Sequence, residues 1–193
     1  MPALWRQRNS REENATIKEG KIPEDWKNHP AKLRQKDTDA RWTKKNEETH
    51  YGYKDHVKVD RASKLIKTYE VTDASVHDSQ KVVALLEKKD ADTELYADSA
   101  YRSAQIEQTL EKRRVRSRIH EKANRNRPLT KAQMRSNRAK SRIRARVEHV
   151  FAQITKSMNG FRFRSIGILR ARSIIGLINL AYNILRSTYL QRA

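Results

Sequence analysis

The sequence predicts an α/β fold built on a mixed sheet, and three runs of residues carry that expectation. HYGYKDHVKVD (His50 to Asp60) interleaves Tyr51, Tyr53, Val57 and Val59 with polar residues, the period of a half-buried strand. TELYA (Thr93 to Ala97) reads as a short strand, and the helical spacing of Ile106 and Leu110 follows it closely. Lys131 to Ile154 is a long basic helix with Val147, Val150, Phe151 and Ile154 as its apolar positions. Strands and helices alternating in this way form a sheet with helices packed on it.

The remaining elements follow in order. Residues 1 to about 40 are polar and hold three of the four prolines, which predicts a loop or arm with at most a short helix at Pro30 to Gln35. LIKTYEVT (Leu65 to Thr72) is rich in β-branched residues and should pair with the 50–60 strand as a hairpin through Arg61-Ala62-Ser63. Asp78 or Ser79 is placed to cap a helix carrying Val82, Val83, Leu85 and Leu86. Ser103 to Lys112 is a helix, Val115 to Ile119 a further strand, and Thr130 the cap of the basic helix, which Gly160 interrupts. Ile168 to Tyr189 closes the chain as an apolar helix that covers the sheet or a partner subunit.

Composition narrows the function. The chain has 193 residues, 43 Lys plus Arg against 23 Asp plus Glu, and a net charge of +20. Hydrophobic residues make up 36%, below the roughly 45–50% of an average domain. Five glycines, four prolines and no cysteine exclude a collagenous or disulfide-stapled chain. The start has no apolar run like a signal peptide, and Ser173 to Leu185 is short of the roughly 20 residues a membrane span needs. A cytoplasmic protein with no membrane partner is expected. The charge is uneven: net +14 falls in residues 112–146, where Glu121 is the only acid, whereas residues 70–98 carry net −5. Such a basic stretch is the electrostatic footprint of a nucleic-acid partner, since cations placed on phosphates release counterions. A solvated basic tail or a structural RNA contact would give the same count.

Two acids stand out. Asp98, in LYADSAY, should emerge at the carboxyl end of a strand, where α/β folds place ligands, although an Asp there can also simply start a turn. Glu148, in RARVEHVF, is the only acid from Lys122 to the C-terminus, and could equally neutralise Arg144 one turn earlier. Together they suit metal-assisted phosphoryl transfer, in which carboxylates hold two Mg²⁺ ions that activate the nucleophile and stabilise the leaving oxygen. Such a site wants a third or fourth acid.

DARWTKKN (Asp39 to Asn46), HYGYKDHVKVD, VTDASVHDS (Val71 to Ser79), LYADSAYRS (Leu95 to Ser103) and RARVEHVFAQITK (Arg144 to Lys156) resemble, in order, the blocks of a bacterial insertion-sequence transposase of the DDE superfamily, nearest the "IS five" type. The resemblance spans residues 39 to about 185. It implies an RNase H-like catalytic domain over 39–193, preceded by a polar arm over 1–38. It further implies Mg²⁺ or Mn²⁺ in a two-metal site, cleavage of element ends and strand transfer to target DNA, and a homodimer or larger assembly on DNA in the bacterial nucleoid. Asp98 would be the second catalytic acid and Glu148 the third, both metal ligands. Lys54, Arg114, Arg116, Arg118, Arg142, Arg144 and Lys156 would hold DNA phosphates. The family signature places a Lys seven residues after the Glu; Thr155 stands there, with Lys156 next.

The first acid of the family ends its first strand, in a block like Val-Asp-Ala-Thr upstream of a segment like RQRNSREEN. Here that segment (Arg6 to Asn14) is nearly at the start, so the first strand and its Asp are expected to be missing. The complete form would be catalytic; this chain could alternatively be a non-catalytic DNA-binding remnant that inhibits an intact transposase. Asp37, Asp39, Asp60 and Asp78 are the candidate substitutes, each already placed within a family block. Trp42, Tyr51 and Tyr53, near Lys44, Lys45 and Lys54, could flank DNA, but packing on a sheet face accounts for them better. His77 either orients groups near the metals or caps a turn, and His149 should point to solvent. Arg162, Arg164, Arg170 and Arg172 could contact phosphates or remain solvated.

Overall fold

The first helix begins where the sequence offers a reciprocal cap. Ser10 Oγ accepts from the Glu13 backbone N–H at 3.0 Å and Glu13 Oε2 accepts from the Ser10 N–H at 2.6 Å, which starts α1 (Arg11–Lys18). The computed structural model describes residues 8–45, 47–125, 127–161 and 164–192. Two short helices follow, α2 (Glu24–Lys27) and α3 (Pro30–Leu33), the latter opened by Pro30 where a missing N–H costs nothing. Trp26 is completely buried, its Nε1 donates to Glu13 Oε1 at 2.8 Å, and Lys36 lies 5.3 Å above its ring. The loop-like arm expected for residues 1–40 is corrected by α1 and α2, while α3 stands where the short helix at Pro30 was expected; one large aromatic with a satisfied N–H organises a polar segment that shows no long periodicity.

The chain forms two compact units, Met1–Asp55 with Val71–Val76 and Phe161–Ile178, and His56–Glu70 with His77–Gly160 and Asn179–Ala193. In the first, buried Asp37 is the organising group. Its carboxylate accepts from the Asp39 and Ala40 N–H groups at 2.9 and 3.1 Å, from Tyr53 Oη at 2.8 Å and from the Gly167 N–H at 3.1 Å. A carboxylate so fully bonded explains how a charge can sit in the interior.

Strand β1 (Arg41–Lys45) pairs antiparallel with the start of β2 (Glu48–Val59), and β2 returns as β3 (Ile66–Asp73), giving the sheet order β1-β2-β3. The Asp60 carboxylate fixes the β2–β3 turn by accepting from the Ala62 and Ser63 N–H groups at 3.1 and 2.7 Å. The hairpin was legible; β1 was not, since Trp42 alone marks its apolar face. Two further strands, β4 (Glu94–Leu95) and β5 (Arg116–Ser117), form a separate parallel pair. The single mixed sheet expected from the sequence is therefore, among the described residues, a three-stranded antiparallel sheet and a two-stranded parallel one.

The second unit has its core around α4 (Ala104–Lys112), capped by Ser103 Oγ. Ile106 and Leu110 pack with Val82, Leu86, Ala97, Val115 and Ile119. The helix expected across Val82–Leu86 is instead a single 3₁₀ turn at Asp78–Gln80 followed by turns, with His77 at its cap. Adjacent β-branched Val82 and Val83 disfavour so short a helix, whereas turns still bury Val82 and Leu86. Thr130 starts the long helix α5 (Lys131–Ser157) with a capping box to Gln133. The last helix, α6 (Ile168–Arg192), has 25 residues and is long and apolar enough to cross a membrane, which corrects the shorter apolar stretch read from the sequence. It is nonetheless tied to the hairpin by polar groups: Tyr182 Oη donates to Lys64 O at 2.9 Å and Arg186 Nε to Ser63 O at 2.7 Å. The Asn183 side chain donates to and accepts from the Ile66 backbone at 2.9 Å.

Candidate functional site

Asp98 lies three residues beyond β4, in extended backbone that opens the 3₁₀ turn Ser99–Tyr101. The parallel register of β4 and β5 pairs Glu94 with Arg116 and Leu95 with Ser117, and the Ala97 carbonyl accepts from the His120 N–H at 3.1 Å. That constant offset sets His120 at the level of Asp98. Asp98 is exposed, and Ser99 Oγ donates to it at 3.1 Å. Burial is the largest single influence on its carboxyl and pushes it up. Hydrogen bonds from the Ser99 side chain and from the Ser99 and Ala100 backbone, with the charge of Arg144, outweigh it and hold Asp98 below the usual aspartate range.

Glu148 is carried by α5, exposed, with Arg144 Nη2 donating to it at 2.6 Å from one turn earlier. The two acids therefore answer to the same guanidinium. Arg144 Nε is turned inward with no hydrogen-bond partner among the described residues. Around this centre burial lowers the His120 imidazole, which Asp98 raises and Arg144 and Lys140 lower further, and Ser141 Oγ lies 3.3 Å from His120 Nε2. Burial raises Tyr101 well above an ordinary phenol, with Asp78 and Asp98 adding to the effect. Asp78 itself is paired with buried His56 at 3.1 Å.

A sequence reading limited to Asp98 and Glu148 misses His120 and Tyr101. The signal was present: His120 follows β5 as Asp98 follows β4. Asp98 and Glu148 are oxygen donors, the kind Mg²⁺ takes alongside water and substrate phosphate. Among the described residues there is no group of three or more His, Asp or Glu that would enclose a metal by protein alone.

The basic residues fall into two sorts. Arg114 is 2.8 Å from Asp92, and Arg118 holds Glu94 through Nε and Nη2 at 3.0 and 2.9 Å. Arg116 donates to Asp92 O at 3.3 Å, and Lys54 to Val76 O at 2.8 Å. Arg142 and Lys156 lie exposed on α5. The cations near β5 are thus partly occupied by the acidic 70–98 segment, which linear charge counting does not reveal. Trp42 and Tyr51 pack ring on ring at 5.0 Å, and Tyr53 is spent on Asp37, as the packing alternative requires. His77 accepts from the Ser79 N–H at 3.3 Å in its capping role, and His149 lies exposed 3.3 Å from Lys64. Asp37, Asp39 and Asp60 are each committed to backbone N–H groups. Arg162 and the side chain of Lys45 lie outside the described residues.

The chain is a mixed α/β protein with a strand-end Asp and a helical Glu on a basic helix, and comparison with known proteins gives its family. Residues 24–184 match the family model described as "Transposase DDE domain", so the chain belongs to the DDE transposases of bacterial insertion sequences. It is 34% identical over 152 residues to the transposase for insertion sequence element IS1106 of Neisseria meningitidis serogroup B, a match covering 79% of this chain and 52% of that one. The chain thus spans about half the length of this curated relative. No solved structure matches it.

Proposed function

We propose that this chain carries the second and third carboxylates of a DNA transposase of RNase H-like fold, whose complete form cleaves element ends and joins them to target DNA. The observation that carries the reading is the convergence of Asp98 and Glu148 on Arg144 within the family match. A divalent ion, Mg²⁺ or Mn²⁺, would supply Lewis-acid stabilisation of the phosphate and a more acidic nucleophile. Asp98, kept ionised by its hydrogen bonds, and Glu148 would be its protein ligands. Arg144 would release Glu148 toward such a ligand and turn to a phosphate oxygen, for which a guanidinium fork is suited. Arg142 and Lys156 would hold the DNA backbone, joined by Lys54, Arg114, Arg116 and Arg118 where phosphate replaces their present partners. A homodimer or larger assembly on DNA and a place at the nucleoid belong to the same reading.

Incubation of the chain with element-end DNA and Mg²⁺ or Mn²⁺ tests it. Metal-dependent nicking that is lost in Asp98→Ala and Glu148→Ala is the expected result, and cleavage that survives Asp98→Ala overturns the roles. A second reading, a DNA-binding chain without turnover that inhibits an intact transposase, is favoured by the lack of a third acid beside the pair among the described residues. It predicts salt-sensitive DNA binding with no metal-dependent cleavage.

A further inference from the structure

The first half of α5 is held in place although it buries nothing. Only Val150 and Ile154 are buried in this helix, and both lie in its C-terminal third. From Lys131 to Arg142, about 16 Å of helix, contact with the rest of the second unit runs along one side. There Asn137 donates to Glu121 O at 3.0 Å and accepts from the Glu121 N–H at 2.9 Å, and Lys140 Nζ donates to Ile119 O at 2.9 Å. Ser141 Oγ lies 3.3 Å from His120 Nε2, and Arg144 and Glu148 continue the same side toward the C-terminus.

A different side carries a row of cations. Lys131, Arg135, Arg138 and Arg142 are spaced four, three and four residues apart, which stacks them on one face, and all four are exposed. That face is turned roughly 110° round the helix from Glu148. The sequence has no acid between Glu121 and Glu148, and among the described residues none of the four cations is paired with one. A solvated helix face ordinarily interleaves acids with bases, because like charges one turn apart repel. Here the repulsion stands uncompensated, and a polyanion laid along the row would relieve it. The residues around the row indicate which polyanion. No aromatic side chain occurs in α5 before Phe151, so the row has no ring on which an unpaired base would stack. The two amides that would suit base edges are occupied, Asn137 by Glu121 and Gln133 by the Thr130 cap. Ala132, Ser136 and Ala139 border the row and give no apolar face for a lipid surface. The backbone of a duplex fits what remains, since its phosphates recur every 3.4 Å or so along each strand and about five face a row of this length.

We propose that the Lys131, Arg135, Arg138 and Arg142 face of α5 is a second DNA site, which grips the phosphates of a duplex without regard to sequence and on a face separate from the one that carries Glu148. The chain then holds two DNA segments at once, one at the acids and one along the outside of α5, as joining a cut end to unselected DNA requires. A segment at the acids rests on the transposase reading; the row itself rests on charge, exposure and the absence of rings and free amides.

Fluorescence anisotropy of a labelled duplex of arbitrary sequence, titrated with the full chain in EDTA over a range of KCl concentrations, tests the proposal. In the triple variant Lys131→Gln, Arg135→Gln and Arg138→Gln, affinity at about 0.1 M KCl should fall at least tenfold, and the slope of log affinity on log salt should shrink by about three, close to one for each lost contact. Removing three exposed cations elsewhere, with Lys18→Gln, Lys21→Gln and Lys27→Gln, should lower affinity by no more than about threefold, and so should Arg144→Gln. The parent chain gives a reading that needs no substitution: bound duplex should shield Arg135 and Arg138 from phenylglyoxal, mapped by mass spectrometry, and leave exposed Arg11 and Arg192 reactive. Equal losses in the two triple variants, or no shielding in the parent chain, would reduce the row to bulk charge and overturn the proposal. A loss in Arg144→Gln as large as in the row variant would overturn it by placing the duplex on the Glu148 face. Tighter binding of the single strand, or loss of binding to phosphatidylserine vesicles with duplex affinity kept, would overturn it by naming another partner. Sequence-independent duplex binding at the row without metal-dependent nicking would count against the carboxylate roles and leave this second site standing.

Discussion

Arg144 reaches the Glu148 carboxylate at 2.6 Å across one turn of α5, and the same positive charge helps to hold Asp98 ionised. Replacing it separates the two effects. In Arg144→Gln the Asp98 carboxyl should titrate at higher pH, since a lowering charge is gone, and ¹³C carboxyl NMR reads the midpoint directly. Stability should change by no more than about 0.5 kcal/mol, because an exposed i,i+4 pair contributes little. An unmoved Asp98 midpoint would show that Ser99 and Ala100 alone set it.

The core prediction concerns Leu110, almost fully buried among Val82, Leu86, Ile106, Val115 and Ile119. Leu110→Ala removes buried methyl groups and leaves a cavity, for an expected loss of about 2–5 kcal/mol in urea unfolding. Because β4 and β5 are only two residues long, the same substitution should also loosen the Asp98 segment, visible as faster amide exchange at Ala97 and His120.

Docking of α6 depends on Asn183, which satisfies both the N–H and the C=O of Ile66. Asn183→Leu leaves those groups without a partner and should cost about 1–3 kcal/mol. Leu180→Gln, on the exposed face of the same helix, should change stability by no more than about 0.5 kcal/mol. Urea midpoints of the two variants distinguish a docked helix from one held only by its apolar surface.

The pH dependence has two windows. Lys58, with Lys89 and Thr68, holds Glu87 at about 2 against an ordinary 4.5, so its contribution is complete above about 4.5 and is lost as pH falls toward 2. Burial lowers His120, so its neutral form favours the folded chain; that contribution is complete above roughly 6.5, the usual imidazole value, and shrinks as pH falls below it. Glu87→Gln should flatten the acid limb of a stability curve and His120→Asn the shoulder just below neutrality, both read from urea midpoints across pH.

Much of this was legible because local chemistry decided it. Thr130 caps α5 where the sequence places it, α4 lies within the expected Ser103 to Lys112, and the 50–60 and 65–72 runs pair as a hairpin. Of the N-terminal helices only α3 was legible, as the short helix at Pro30; α1 and α2 were not, since Trp26 and Asp37 order that region through contacts distant in sequence and the segment has no apolar period. The short strands β4 and β5 were over-read: Thr93–Ala97 and Val115–Ile119 have strand composition, yet only Glu94–Leu95 and Arg116–Ser117 pair as strands. Asp98 and Glu148 could be named from sequence, but Arg144 as their common partner required the fold. The opposing acids Asp92 and Glu94, which take up Arg114 and Arg118, also emerge only in three dimensions.

In the proposed transposase role, Asp98 and Glu148 hold a divalent ion together. Mn²⁺ titration followed by electron paramagnetic resonance tests it without requiring turnover. The parent chain should bind Mn²⁺, and Asp98→Asn and Glu148→Gln should each weaken binding at least tenfold, with little further loss when combined, as two ligands of one ion would behave. Undiminished Mn²⁺ affinity in the double variant would contradict the claim.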